Sequence, residues 1–275
     1  MKAAGSAAAA NVAPLVVVPV TCDAATGRWW RRMHELDGIG GLALELRVEE
    51  ARDWAVFDAT STFARLAGAN LAICGLRLPP AAVDLSAPER CLDVLDKALP
   101  AAGVFGLSWV SMKVPHALNL RQRYELAAAL GRCAAERLAR AKVAVALVHD
   151  SGEGIDALDT LGDWCGAVSG ARLRVAVDVG RLDATHEALA AQIRVLGEMG
   201  LLAGLYLSNR VDGQGGHPAL PLKTAAGVYR IGEILDLAAH YREQTFLALD
   251  YDPSHAHLMG RHAAALVERL GAVRK

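Results

Sequence analysis

The chain has 275 residues, 53% of them hydrophobic and 5% aromatic, with 29 Lys and Arg against 30 Asp and Glu for a formal charge of -1. That balance lacks the basic surplus expected of a protein that binds nucleic acid or an anionic membrane, and no run approaches the roughly 18 apolar residues a membrane span needs. The length sits near the roughly 250 residues of one (β/α)8 barrel, so one domain is favoured.

Residues 1–12 are rich in Ala, Gly and Ser and read as a disordered tail, with a single barrel domain over 13–275. Lys2 and the Ala-rich run before Leu15 resemble a signal peptide only superficially. Pro14 and Pro19 bracket four apolar residues, short of the usual 7 to 15, so the run is taken as a first strand, 15–21. Further strands are expected at 41–47, 70–76, 103–110, 143–149, 173–178, 202–208 and 245–250. They are near-continuous in apolar residues, as in parallel strands covered on both faces. Amphipathic stretches at 121–141, 184–199, 226–241 and 256–271 read as helices, the second with Asp183 as its N-cap. Eight strand–helix units without a linker predict an α/β fold, a single closed (β/α)8 TIM barrel. The GxGxxG turn of a dinucleotide-binding sheet is missing after the first strand. Five cysteines, odd in number and far apart, read as buried thiols of a reducing, cytoplasmic protein.

In such barrels the chemistry sits at the C-terminal strand ends, and here those ends are polar. Strand two ends in Glu45 and Arg47, which the pleat places on one face; strand four runs into Lys113 and His116. Strand five ends in His149 and Asp150, strand six in Asp178 with Arg181 after it. Strand seven leads through Asn209 and Arg210 to His217 and Lys223, and strand eight ends in Asp250 and Asp252. Asp178 and Asp250 close apolar strands, where an unpaired carboxylate is costly, and this favours a site role over capping. His149 stands beside an acid that could orient it as an acid or base. Glu45 and Arg47 fit either a substrate contact or a buried structural pair, Lys223 either an anion clamp or a solvated loop charge. His116 reads as a loop residue, and His34, His186, His240, His255, His257 and His262 as surface positions on helices. Trp29 and Trp30 fit a pocket lid or a helix contact equally.

From about residue 143 to 252 the chain resembles the xylose-isomerase-like superfamily of sugar phosphate isomerases and epimerases, as a divergent member. Its usual glutamate on strand five becomes Val148 in VALVHD; its Asp-x-x-His on strand six becomes Asp178 with Arg181; its HLSD on strand seven becomes YLSN, with Tyr206 and Asn209. His217 in GHPALPL resembles a downstream histidine of the family, and the last glutamate becomes Asp250. The resemblance implies an isomerase or epimerase of sugar metabolism with a divalent metal. The substitutions leave too few acids for that ion, and Arg181 opposes it. No metal ligand and no cofactor are therefore expected, with a divalent metal as the one candidate left open.

The front half, PVTCDA and LELRVEE, with LVHD on strand five, is similar to type I dehydroquinase. That family's Schiff-base lysine should end strand six, where this chain has Asp178. The expectation leans to an enzyme: a metal-independent isomerase, epimerase or dehydratase acting on a small sugar-like or anionic molecule. His149, Asp178, Asp250 and Lys223 would be catalytic, and Glu45, Arg47, Arg181, Asn209, Arg210 and His217 would bind substrate. A non-catalytic barrel that binds a ligand or partner is the main alternative, and a dehydroquinase-like lyase the second. The expected partner is a small molecule, not nucleic acid or membrane; a homo-oligomer stays open.

Overall fold

The structure is a computed structural model describing residues 15–21, 36, 39, 42–48, 51–66, 72–79, 88–114, 125, 128, 143–149, 152–167, 172–211, 219–224, 227–241 and 245–272. Eight strands, β1 (Leu15–Thr21), β2 (Leu42–Arg47), β3 (Ala72–Arg77), β4 (Trp109–Lys113), β5 (Ala144–Val148), β6 (Leu173–Asp178), β7 (Leu202–Leu207) and β8 (Phe246–Leu249), follow one another around a closed barrel. Every neighbouring pair is parallel, and β8 closes on β1. Among the described residues the helices are α1 (Ala51–Val56), α2 (Ala59–Leu66), α3 (Pro88–Phe105), α4 (Ile155–Ala167), α5 (His186–Glu198), α6 (Ile231–His240) and α7 (Met259–Ala272). None is long and apolar enough to cross a membrane. The single (β/α)8 TIM barrel expected from the alternation is what the chain forms.

The pleat separates two cores. Outward strand residues such as Leu44, Leu46, Val175 and Val177 pack under the helices. Inward residues form a second cluster of Val17, Ala43, Ala146, Val148, Ala176, Tyr206, Ala248, Trp109 and Phe246. Small side chains make room for the rings: Trp109 and Phe246 stack with centroids 4.2 Å apart, and Tyr206 meets Phe246 edge-on at 5.4 Å. A Cβ at Gly75 would overlap the Trp109 indole, and one at Gly204 would overlap the Phe246 ring. This aromatic plug fills the lower barrel and leaves the C-terminal ends for charged side chains.

The fourth strand departs from expectation. Residues 103–105 belong to α3, which runs to Phe105 and stops at Gly106 with φ of 67°. Leu107 N–H then donates to Ala102 O at 2.9 Å, the closure that a left-handed glycine permits at a helix end. The strand begins only at Trp109. The N-cap of α5 is Thr185, whose hydroxyl accepts from Ala188 N–H at 3.2 Å, not Asp183. Helix α6 starts at residue 231, and a 3-10 turn (Pro253–Leu258) precedes α7. Cys74 and Cys165 are buried free thiols, and burial pushes Cys165 up to about 12. The expected tail, Trp29, Trp30, His34, His116, Asp150, His217, most of 121–141 and the side chains of Cys22, Cys91 and Cys133 lie outside the described residues.

Candidate functional site

Glu45 is the deepest charge. It points inward from β2, is fully buried, and as a buried carboxylate needs donors. Arg47 Nε at 3.1 Å, Trp109 Nε1 at 3.2 Å, Ser111 Oγ at 3.1 Å and Tyr206 OH at 2.5 Å supply them. Burial first, then the Glu45 charge, pushes the Tyr206 phenol well above its ordinary value, so it stays a neutral donor.

A second layer lies at the strand ends. Arg47 reaches past β1 to Asp250, with Nη1 2.7 Å from Oδ1, while Arg77 at the end of β3 takes Oδ2 at 3.3 Å. Burial alone would raise the Asp250 carboxyl; Arg47 and Arg77 outweigh it and hold it well below the usual carboxylate range. Burial likewise works against the Arg47 charge, but Asp250 and Glu45 reverse the sign and keep it protonated. Its remaining nitrogen, Nη2, is buried without a hydrogen-bond partner.

Asp178 stands in the opposite condition. It is 0% exposed at the end of β6, and neither carboxyl oxygen has a hydrogen-bond partner. Its cation is Arg181, Nε 3.6 Å from Oδ2, whose Nη2 also lies 3.3 Å from Asp252 Oδ1. Burial pushes the Asp178 carboxyl up and the Asp250 charge adds to it, against the partial pull of Arg181, Arg77 and His149. Two carboxyls of one site are thus driven in opposite directions.

His149 is buried one residue beyond β5. Its Nε2 lies 3.0 Å from the Asp178 backbone nitrogen and 3.1 Å from the Asp178 carbonyl oxygen. The ring therefore seats the β6 backbone and does not hydrogen-bond the Asp178 carboxylate.

A cavity of about 240 Å³ opens over this layer, lined by Arg47, Arg77, Lys113, Arg181 and Asp250 with Val48 and Leu78 as apolar wall. A larger one, about 950 Å³, lies between α6, α7 and residues 220–224, lined mostly by apolar side chains such as Leu222, Leu235 and Leu266. The smaller cavity is the candidate site, because the buried charges converge there. Glu45, Arg47, Asp178, Arg181 and Asp250 come together as the strand ends suggested, with His149 behind Asp178.

Other expected site residues stand elsewhere. Lys223 is exposed and lines the larger cavity. Asn209 is consumed by its own loop: Nδ2 donates to Tyr229 O at 3.1 Å, and Oδ1 accepts from Arg210 N–H at 2.9 Å and Tyr229 N–H at 3.1 Å. Arg210 ties neighbouring loops, with Nη1 3.1 Å from Asp183 and Nη2 donating to Ala184 O. His186 is buried against Glu233 at 3.0 Å, not a surface residue. Arg77 was not anticipated, because the expected third strand stopped at residue 76; the arginine closing an apolar run was the available signal.

No protein-family model matches the chain, and no curated protein is significantly similar to it. Solved structures do resemble it. A sugar phosphate isomerase/epimerase from Parabacteroides distasonis is 12% identical with TM-score 0.63, covering 96% of each chain. A Bacillus anthracis protein described as a probable 3-DHS dehydratase is 13% identical with TM-score 0.64, over 86% of this chain and 93% of its own. The IOLI protein, solved with a zinc atom, is 9% identical with TM-score 0.60, over 92% and 96%. The likeness is one of fold.

The described residues of this layer do not fit a zinc or other divalent ion. Both Asp250 oxygens carry guanidinium groups, all the donors around Glu45 already claim its oxygens, and Asp178 faces Arg181. Among the described residues no three His, Cys, Asp or Glu side chains are grouped to hold a metal. A cation placed here would meet fixed positive charge at every acid.

Proposed function

We propose that this chain is a metal-independent isomerase, epimerase or dehydratase that moves a proton on a small polyhydroxy or anionic substrate at the C-terminal mouth of the barrel. The opposed carboxyls carry the reading: Asp178 is pushed toward its protonated form while Asp250 is held ionised. Carboxyls driven apart in one site divide into a proton carrier and a fixed counter-charge. Ionised Asp178 would take the proton from a carbon next to a carbonyl, and the electron pair would move to the carbonyl oxygen. Arg181, Arg77 and Arg47 supply the positive charge that stabilises this enediolate. Returning the proton to the former carbonyl carbon, while the adjacent hydroxyl passes its own proton to the former carbonyl oxygen, gives an isomer. Returning it to the other face of the carbon it left gives an epimer; loss of a β-hydroxyl as water, with the proton from Asp178, gives a dehydrated product. Substrate has to shift Arg181, 26% exposed, from its contact with Asp178. The fold likeness to an isomerase/epimerase and a dehydratase supports these reaction classes.

The test is proton NMR in heavy water with a panel of ketoses, ketose phosphates and hydroxy acids. Exchange of a C–H for deuterium, lost in Asp178→Asn, supports the reading. Ligand binding with no exchange across the panel favours a non-catalytic barrel, a reading that the closed network Glu45–Arg47–Asp250–Arg77 also suits. A Schiff-base lyase finds no lysine on β6.

A further inference from the structure

We propose that the 240 Å³ cavity is an oxyanion pocket, holding the carboxylate or phosphate of a compact ligand against Arg47, Arg77, Lys113 and Arg181. This deepens the reading of the barrel mouth as a ligand site and does not depend on turnover there. The lining carries four cations against one acid, Asp250, and that acid already has both oxygens engaged by Arg47 and Arg77. Glu45 and Asp252 offset two of the charges through Arg47 and Arg181. Asp178 faces Arg181 from 3.6 Å, with neither carboxyl oxygen hydrogen-bonded.

The geometry at Arg47 points the same way. The residue is 9% exposed and lines the cavity. Nε is committed to Glu45 and Nη1 to Asp250, while Nη2 is buried with no acceptor. A buried charged donor left unmade costs on the order of 1–3 kcal/mol or more, so the position calls for an acceptor oxygen. Arg181 Nε makes no hydrogen bond either, although it faces Asp178 Oδ2 at 3.6 Å. Arg77 is held by the Tyr206 ring, 4.5 Å from its guanidinium carbon, and by Asp250 at 3.3 Å. Guanidinium groups pair with carboxylate and phosphate through parallel N–H donors. At ~30 Å³ per water the cavity holds about eight waters. That is room for a sugar acid or a small phosphate ester.

Calorimetric titration of the whole chain at low salt, with inorganic phosphate, gluconate and neutral sorbitol as probes, decides the matter. Saturable binding of phosphate or gluconate but not sorbitol is expected, weakening as salt rises. Phosphate alone would mark the natural group as a phosphate, gluconate alone as a carboxylate. Arg181→Gln and Lys113→Met, changed at the partly exposed edge of the cavity, should each weaken binding roughly tenfold, with circular dichroism checking that they fold. Absent anion binding by folded wild type, sorbitol binding as well as gluconate, or undiminished affinity in both variants would overturn the proposal. Anion binding without C–H exchange would count against the proposed reaction and leave the pocket standing; exchange without anion binding would do the reverse.

Discussion

Arg47 on β2 and Asp250 after β8 meet at 2.7 Å across the barrel mouth, although β1 lies between their strands. The pair is buried, and the same guanidinium also serves Glu45. Removing it leaves two carboxylates in the interior with reduced compensation, and such losses cost about 3–5 kcal/mol. Arg47→Met is expected to lose stability of that order by urea denaturation at pH 7.5. The loss should shrink as pH falls, because Asp250 without Arg47 protonates more readily.

Asp178→Asn should separate stability from activity. The folded-state carboxyl lies above its ordinary value of 3.8, so the native chain holds that proton more tightly than the unfolded one. The Asp178 contribution is therefore full below about pH 4 and is lost as pH rises through the folded value. Asp250 has the opposite sign: its contribution is present above 3.8 and is lost as pH falls below it. Thermal melts should show Asp178→Asn at least as stable as wild type at pH 7.5, with the gap closing near pH 4, while C–H exchange falls at least a hundredfold. A variant that melts well below wild type at pH 7.5 would contradict the sign assigned to this group.

Asn209→Ala removes the clasp between residue 209 and the turn at Tyr229. A cost of about 1–3 kcal/mol is expected from the backbone groups left without their partner. Hydrogen exchange should localise it, with the Arg210 and Tyr229 amides speeding up and the β2 and β6 amides unchanged. Anion affinity should also be unchanged, since Asn209 touches nothing in the 240 Å³ cavity.

Divalent metal should not stabilise the protein. Incubation with Mn, Zn, Co or Mg is expected to leave the melting temperature where it was, and a chelator should leave C–H exchange intact. A saturable rise with any of these ions would overturn the metal-independent reading and return Asp178 and Asp250 to ligand roles.

The strands could be read from the sequence because a barrel strand is apolar on both faces, and β1 and β6 begin and end where their apolar runs do. The run GVFGLSWV misled because its apolar residues serve a helix end: Val104 is 41% exposed on α3, and the left-handed Gly106 that ends the helix looks like any strand glycine. Glu45 and Arg47 were legible from the two-residue pleat, Asp178 and Asp250 from their place at the ends of apolar strands. Asn209 and Arg210 were not, because their partners are loop carbonyls and amides whose positions depend on how distant segments pack. His186 followed neither rule; it is buried because α5 lies beside α6 and presents it to Glu233.

The rings of Trp109, Phe246 and Tyr206, fitted against Gly75 and Gly204, close the barrel below the charged layer. Among the described residues these rings form a floor. Under the proposed reaction, a proton taken up by Asp178 would have these rings below it and, among the described residues, Arg181 and any bound ligand on the side of the mouth. Isotope carried by the substrate should consequently return to product in part before it washes out to solvent, and the retained fraction would measure how tightly a bound ligand corks the barrel.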